Sequence, residues 1–177
     1  MAIRDYQTLT PVIDISAYVD EAALVIGEVT VGKQSSIWPM TVVRGDVNHI
    51  VIGDETNIQD GSVLHVTHKN DHKPEGNPLL IGDRVTVGHK VILHGCQIGN
   101  DCLIGMGSVI MDGVVIEDKV LVGAASLVPP GKRLQSGYLY LGNPVRRVRA
   151  LSEQELSYFS YSAQHYVKLM QQYRQSI

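Results

Sequence analysis

The feature that most constrains this chain is an apolar residue that returns every six positions. Ile98, Ile104, Ile110, Ile116, Val122 and Val128 form an unbroken series. Three shorter series precede it: Val31, Ile37 and Val43; Ile52, Ile58 and Leu64; Ile81, Val87 and Leu93. A spacing of six does not fit the period of an amphipathic α-helix. The stretch 25–128 is also rich in glycine and β-branched residues, which are poor helix formers. Fixed-period repeats of this kind define solenoids. The spacing predicts one short strand and one corner per unit, with the apolar side chain inward. Three units close a triangular coil, and coils stack at the inter-strand distance of about 4.8 Å. Glycine follows the apolar residue at Gly32, Gly53, Gly82, Gly88, Gly99, Gly105 and Gly123, which predicts corners that need glycine's backbone freedom. The expected architecture is one all-β domain over 1–177. It consists of a parallel β-helix over about 12–130, an irregular connector over 131–151 and a C-terminal helix over 152–175. Ser152 and Glu155 have the spacing of a capping box. Leu156, Phe159, Ala163, Tyr166 or Val167, Met170 and Tyr173 form the stripe expected to pack along the coils.

The repeat breaks twice. Val43 and Ile52 are nine positions apart, so three residues are extra near Val47-Asn48-His49. Leu64 and Ile81 are seventeen apart, which predicts a polar loop over about 66–79 containing His68 and His72. Loops that long in a compact domain are often functional. With one Phe and one Trp, the core must be aliphatic. A net charge of −3 argues against a nucleic-acid binder. No apolar run approaches a membrane span, and the N-terminus has no apolar leader. Cys96 and Cys102 form neither a CxxC motif nor a disulfide framework and read as buried, reduced thiols. These features together lead us to expect a cytoplasmic protein.

Three histidines sit inside the repeat. His65 follows Leu64 and His94 follows Leu93, each in a slot that other units give to glycine. If the coils 52–64 and 81–93 are neighbours, the two histidines stack and can converge on one ion. His89 lies two residues after Val87, on the preceding face, and points away from the pair. It could join them if a neighbouring subunit presented it, as a threefold arrangement of triangular prisms allows. Asp60 stands to Ile58 as His89 stands to Val87, so these two stack. Asn57, Gln59, Arg44 and Asp46 occupy nearby positions. An alternative role for Arg44 and Asp60 is an inter-subunit ion pair.

Arg44-Gly45-Asp46, Asn57-Ile58-Gln59-Asp60-Gly61, Leu64-His65 and Val87-Gly88-His89 through Leu93-His94-Gly95 together resemble the gamma-class carbonic anhydrases. Within that family the chain is most similar to the YrdA/PaaY-type bacterial branch. The resemblance implies a left-handed parallel β-helix, a homotrimer, and zinc (or iron or cobalt) held by His65 and His94 of one subunit and His89 of the next. It implies that Gln59 and Asn57 hydrogen-bond the reacting water or bicarbonate, and that Arg44, Asp46 and Asp60 lie near the site, with Arg44 and Asp60 bridging subunits. Tyr166 is the candidate for the helix residue that approaches the metal. The implied reaction is reversible hydration of CO₂ to bicarbonate by metal-generated hydroxide. The chain departs from the family pattern at proton transfer. Val47 stands where a glutamate is usual, and His68 with His72 replaces an acidic shuttle loop. This departure implies weak turnover. Two other classes fit the repeat: a hexapeptide acyltransferase using a CoA thioester, suggested by Gly142-Asn143-Pro144, and a metal-binding trimeric scaffold without turnover.

Overall fold

Three columns of inward side chains run the length of the molecule, seen here in a computed structural model that describes residues 2–176. The first is Val25, Val43, Leu64, Leu93, Ile110 and Val128. The second is Val19, Ile37, Ile58, Val87, Ile104, Val122 and Tyr140. The third is Ile13, Val31, Ile52, Ile81, Ile98, Ile116 and Leu134. Strands of successive coils pair in parallel, forming a β-helix. All spine residues except Ile13 and Val19, in the first coil, are buried. Each fully buried Ile or Leu contributes roughly 1.5–3 kcal/mol. We call the faces outside these columns the histidine face, the helix face and the third face.

The corners differ from the expectation. None of the seven glycines after a spine residue has a positive φ; the left-handed residues lie further into the corners, at Gln34, Glu55, Arg84, Asp101 and Lys119 (φ 53–55°) after the third column and at Met40, Gly61, Lys90, Gly107 and Ala125 (φ 55–70°) after the second. The glycines are needed for space. A Cβ on Gly32, Gly53, Gly82 or Gly99 would lie 2.4–2.6 Å from Oδ1 of Asp54, Asp83, Asn100 or Asp118 in the next coil. Those oxygens accept the backbone N–H groups of Lys33, Asp54, Asp83 and Asn100 at 2.6–2.9 Å, forming a ladder up one edge. Ser and Thr side chains inside the corners act similarly. Ser35, Thr56, Thr41 and Ser62 donate to carbonyls of the next coil. Cys96 and Cys102 are free, buried thiols.

The repeat also runs past residue 130. Arg133–Leu134 and Tyr138–Leu141 add strands to the coils, and Arg146–Ala150 folds back antiparallel on Tyr138–Leu141. Pro129-Pro130-Gly131 is compatible with this because a β-helix corner is already a turn.

Helix α1 (Glu153–Ser176) starts at the expected capping box. Ser152 Oγ accepts the Glu155 N–H at 3.2 Å, and Glu155 Oε2 accepts the Ser152 N–H at 2.9 Å. The helix packs along the helix face, back toward the first coil, where Arg174 donates to the Ser16 carbonyl at 2.8 Å. Its buried residues are Phe159, Ser162, Ala163, Val167 and Met170. Leu156 and Tyr173, at the ends of the expected stripe, remain exposed, although the Tyr173 ring still packs edge-on against Trp38 and Tyr18. No described helix is long and apolar enough to cross a membrane.

Arg149, together with the Ser152 N–H, holds the Glu155 carboxyl at about 2. A value depressed on folding means that the cap's contribution is complete above the ordinary carboxylate range and is lost as pH falls toward about 2. An NMR titration of Glu155 should therefore show no midpoint near pH 4; finding one there would remove the cap from the acid stability of α1.

Candidate metal centre

The strands Val63–His65 and Ile92–His94 pair in register, which places His94 directly on His65. Their rings are tilted, with centroids 5.1 Å apart, and His65 Nδ1 lies 3.1 Å from His94 Nε2. The outer nitrogen of each ring meets a carboxylate. His65 Nε2 donates to Asp46 Oδ1 at 2.9 Å, and His94 Nδ1 donates to Asp112 Oδ1 at 2.9 Å. Ionised carboxylates only accept, so the hydrogen of each neutral imidazole sits on the outer nitrogen. The inner nitrogens then aim two lone pairs at each other, an arrangement that only a cation between them makes favourable. A tetrahedral ion with bonds of 2.0–2.1 Å would separate two ligand nitrogens by roughly 3.3 Å, close to the geometry present. The donor set fits zinc or another divalent ion that accepts imidazole.

The carboxylates are built into the coils above and below. The three extra residues in Val42–Ile52 form a bulge. Gly27 faces Gly45 but Val29 faces Ile50 in the pairing with Leu24–Val31. The bulge carries Asp46 up to His65 and lets Asn48 Nδ2 reach the carbonyls of Thr67 and Glu75. Partial burial pushes the Asp46 carboxyl up, but hydrogen bonds from His65 and Arg44 outweigh it and hold it below the ordinary range. Asp112 behaves alike: burial raises it, and His94 and Thr67 together bring it below that range. Within one chain Arg44 pairs with Asp46, while Asp60 is engaged by His89.

His89 is half-exposed on the corner after Thr86–Val87. Its Nδ1 lies 2.9 Å from Asp60 Oδ2, which leaves Nε2 free. All three histidines thus have one nitrogen tied to a carboxylate, the usual support for metal-ligating histidine. Among the described residues, one chain offers no group of three or more His, Cys, Asp or Glu side chains arranged to hold an ion. His89 instead faces a groove of about 410 Å³ between the helix face and α1, shared with Gln59 and Tyr166. A larger hollow of about 610 Å³ runs along the third face, away from these histidines.

Gln59 and Asn57 are both buried, with different orientations. Asn57 Nδ2 donates to the Thr86 hydroxyl at 3.1 Å and toward the Val85 carbonyl at 3.5 Å. A carbonyl only accepts, so Asn57 Oδ1 must be the atom that receives Gln59 Nε2, at 3.1 Å. Gln59 Oε1 is therefore left for the groove, and Asn57 stands behind Gln59. Thr86 Oγ1 in turn meets Ser162 Oγ at 2.8 Å, tying this chain of amides to α1. Burial, reinforced by Asp60, pushes the Tyr166 hydroxyl up, so it remains a donor. His68 is exposed on the 66–79 loop. Sequence reasoning missed Asp112, Thr86 and Ser162. The available signal for Asp112 was its place two residues after Ile110, one coil beyond His94.

This fold and site define a hexapeptide-repeat protein with a histidine centre, and a profile of the bacterial transferase hexapeptide (six repeats) family matches residues 78–111 and 95–130. The protein YrdA of Escherichia coli K12 is 54% identical over 97% of this chain and 93% of its own length. A carbonic anhydrase of Geobacillus kaustophilus is 42% identical over 97% of this chain and 91% of its own. The crystal structure of a hexapeptide transferase family protein from Anaplasma phagocytophilum superposes with a TM-score of 0.91 at 40% identity, covering 97% and 98% of the two chains. The chain belongs to the gamma-carbonic-anhydrase family of hexapeptide-repeat proteins.

Proposed function

We propose that this protein is a gamma-class carbonic anhydrase that hydrates CO₂ reversibly as a homotrimer, with zinc as its metal and iron(II) or cobalt(II) as alternatives. The observation that carries this reading is the pair of facing histidine nitrogens, each ring backed by a carboxylate. His65 and His94 of one subunit and His89 of the next would hold the ion, leaving a fourth position open as catalytic zinc sites do. Bound there, zinc lowers the pKa of water from about 15.7 to about 7 and so supplies hydroxide at neutral pH.

The protein groups do the rest. Gln59 Oε1 accepts a hydrogen bond from the reacting water and turns one of its lone pairs toward CO₂. Aliphatic groove residues such as Leu103 and Leu121 suit an apolar gas, and the Tyr166 hydroxyl can donate to a bicarbonate oxygen. Asp46 and Asp60 fix ring orientation, and Arg44 neutralises Asp46. His68 takes the released proton to solvent, a task suited to imidazole at neutral pH. The trimer is supported by an outward apolar stripe beside the pair, Val42, Val63, Ile92, Val109 and Leu127, which includes Val63 at 41% and Ile92 at 43% exposure. Closed threefold packing would bury it.

Metal analysis with stopped-flow CO₂ hydration tests the reading. Protein loaded with zinc, iron(II) or cobalt(II) should hold one ion per chain and turn over above buffer, and His94→Ala should lose both. His68→Ala should slow turnover in dilute buffer and recover in concentrated imidazole. Full metal without turnover for all three ions would leave a non-catalytic scaffold. Transfer of an acyl group from acetyl-CoA would favour the transferase reading that the matched profile's name suggests.

A further inference from the structure

The loop over residues 66–79 is closed at its neck by reciprocal backbone bonds. The Thr67 N–H donates to the Asn77 carbonyl, and the Asn77 N–H to the Thr67 carbonyl, both at 3.0 Å. Asp112 reaches this neck from the next coil. Its Oδ1 accepts the Thr67 hydroxyl at 2.8 Å and the His94 Nδ1–H at 2.9 Å, and the Asn77 side chain hydrogen-bonds the same carboxylate. One carboxylate therefore holds a histidine of the centre and both ends of the loop. Gly95 leaves room for it. A Cβ there would lie 2.3 Å from Asp112 Oδ1 and 2.6 Å from Asn77 Cβ, and the residue sits at φ +50°. Space excludes a side chain at this position, directly after His94, and the left-handed backbone further disfavours one.

We propose that Asp112 is a positioning residue that couples ion binding at His94 to closure of the 66–79 loop. The inference rests on His94 being a metal ligand. The carboxylate fixes the His94 ring so that Nε2 faces His65, and the same oxygen receives the loop's hydroxyl. An ion that orders the ring also orders the carboxylate, and through it the neck. By linkage, a closed neck favours the ion by the same factor. The loop carries His68, so the exit for protons is set by the group that orients the ligand.

The test uses the full-length assembled protein with zinc alone as probe, in the wild type, Asp112→Asn and Thr67→Val. Zinc affinity is read by competition with a chromophoric chelator, and loop order by hydrogen exchange of residues 66–79 with and without zinc. Asp112→Asn should weaken zinc about 10–100-fold, the range for losing a ligand's supporting carboxylate. Zinc should slow exchange at the wild-type neck by about fivefold or more, and this protection should vanish in both variants. Thr67→Val keeps the His94–Asp112 bond and should weaken zinc only by the factor that the neck supplies, about fivefold by linkage, less than Asp112→Asn, which separates the latch from the positioning. It also serves if Asp112→Asn does not assemble. If wild type binds zinc and Asp112→Asn binds it equally, the positioning role is overturned and the proposed centre stands. If zinc protects the neck equally in Thr67→Val, the latch is overturned. A wild type that takes no zinc would overturn the centre and this inference together.

Discussion

If the proposed centre is shared between subunits, mixed trimers assembled from His89→Ala and His94→Ala chains should regain one metal site each, whereas neither variant alone should bind zinc. The reason is geometric. A centre shared across an interface takes His65 and His94 from one subunit and His89 from the next. A His89→Ala chain still offers the pair, and a His94→Ala chain still offers the third imidazole. In a cyclic trimer containing both, one interface of three joins an intact pair to an intact His89. Random mixing in equal parts makes about three-quarters of trimers mixed, so zinc content should recover to about a quarter of wild type. Each parent should be weaker than wild type by more than about 100-fold, the upper range for losing a mere supporting residue. His89 is half-exposed and outside the spine, so its loss should leave the coils folded. Zinc content after co-refolding, compared with the unmixed variants, is the readout. A mixture that binds no more than its parents would mean that each centre lies within one chain, and the trimeric proposal would fall with it.

The stacking of His65 under His94 was legible because register follows from the spine alone: Leu64 and Leu93 must coincide, and their neighbours follow. The Asp60–His89 contact was legible for the same reason. Replacement of a corner glycine does not single out the histidines. Glycine follows the spine only on the third face, at Gly32, Gly53, Gly82 and Gly99, and on the helix face, at Gly88, Gly105 and Gly123, whereas on the histidine face the position carries Ile26, Arg44, His65, His94, Met111 and Pro129. Large residues are the norm there, so the case for the histidines rests on their facing nitrogens. The pairing of Arg44 with Asp46 within the chain was not legible, because it depends on the bulge at 46–49 that brings Asp46 up to His65. A count of three extra residues does not say which way they bulge. Asn57 was expected to touch the reacting water; its contacts with Thr86 and Gln59 place it behind Gln59, because only the identity of its acceptors fixes an amide's direction. The strands after residue 130 were hidden by Pro129 and Pro130, which mark breaks in most folds but sit comfortably at a coil corner.

Gly53→Ala should destabilise the protein by about 3 kcal/mol, while Gly107→Ala should cost only about 1 kcal/mol. Backbone freedom alone would give the opposite order. Gly107 has φ +70° with open space around its missing Cβ, so alanine there meets only the left-handed penalty. Gly53 lacks a positive φ, yet a Cβ on it would lie 2.4 Å from Asp83 Oδ1 and 2.6 Å from the Gly82 carbonyl group. Neither neighbour can yield cheaply. Asp83 Oδ1 is held by the Asp54 N–H at 2.8 Å, and the Gly82 carbonyl accepts the Thr56 hydroxyl at 2.8 Å. The coils must therefore separate locally, and in a solenoid each coil is stabilised by its immediate neighbours, so one loosened interface weakens both sides. The comparison is made from denaturant midpoints of metal-free protein at one fixed concentration, because assembly also shifts apparent stability. If Gly107→Ala proved the more damaging, the glycines after the spine would be there for their dihedral angles, and the Asx ladder would be incidental to the repeat.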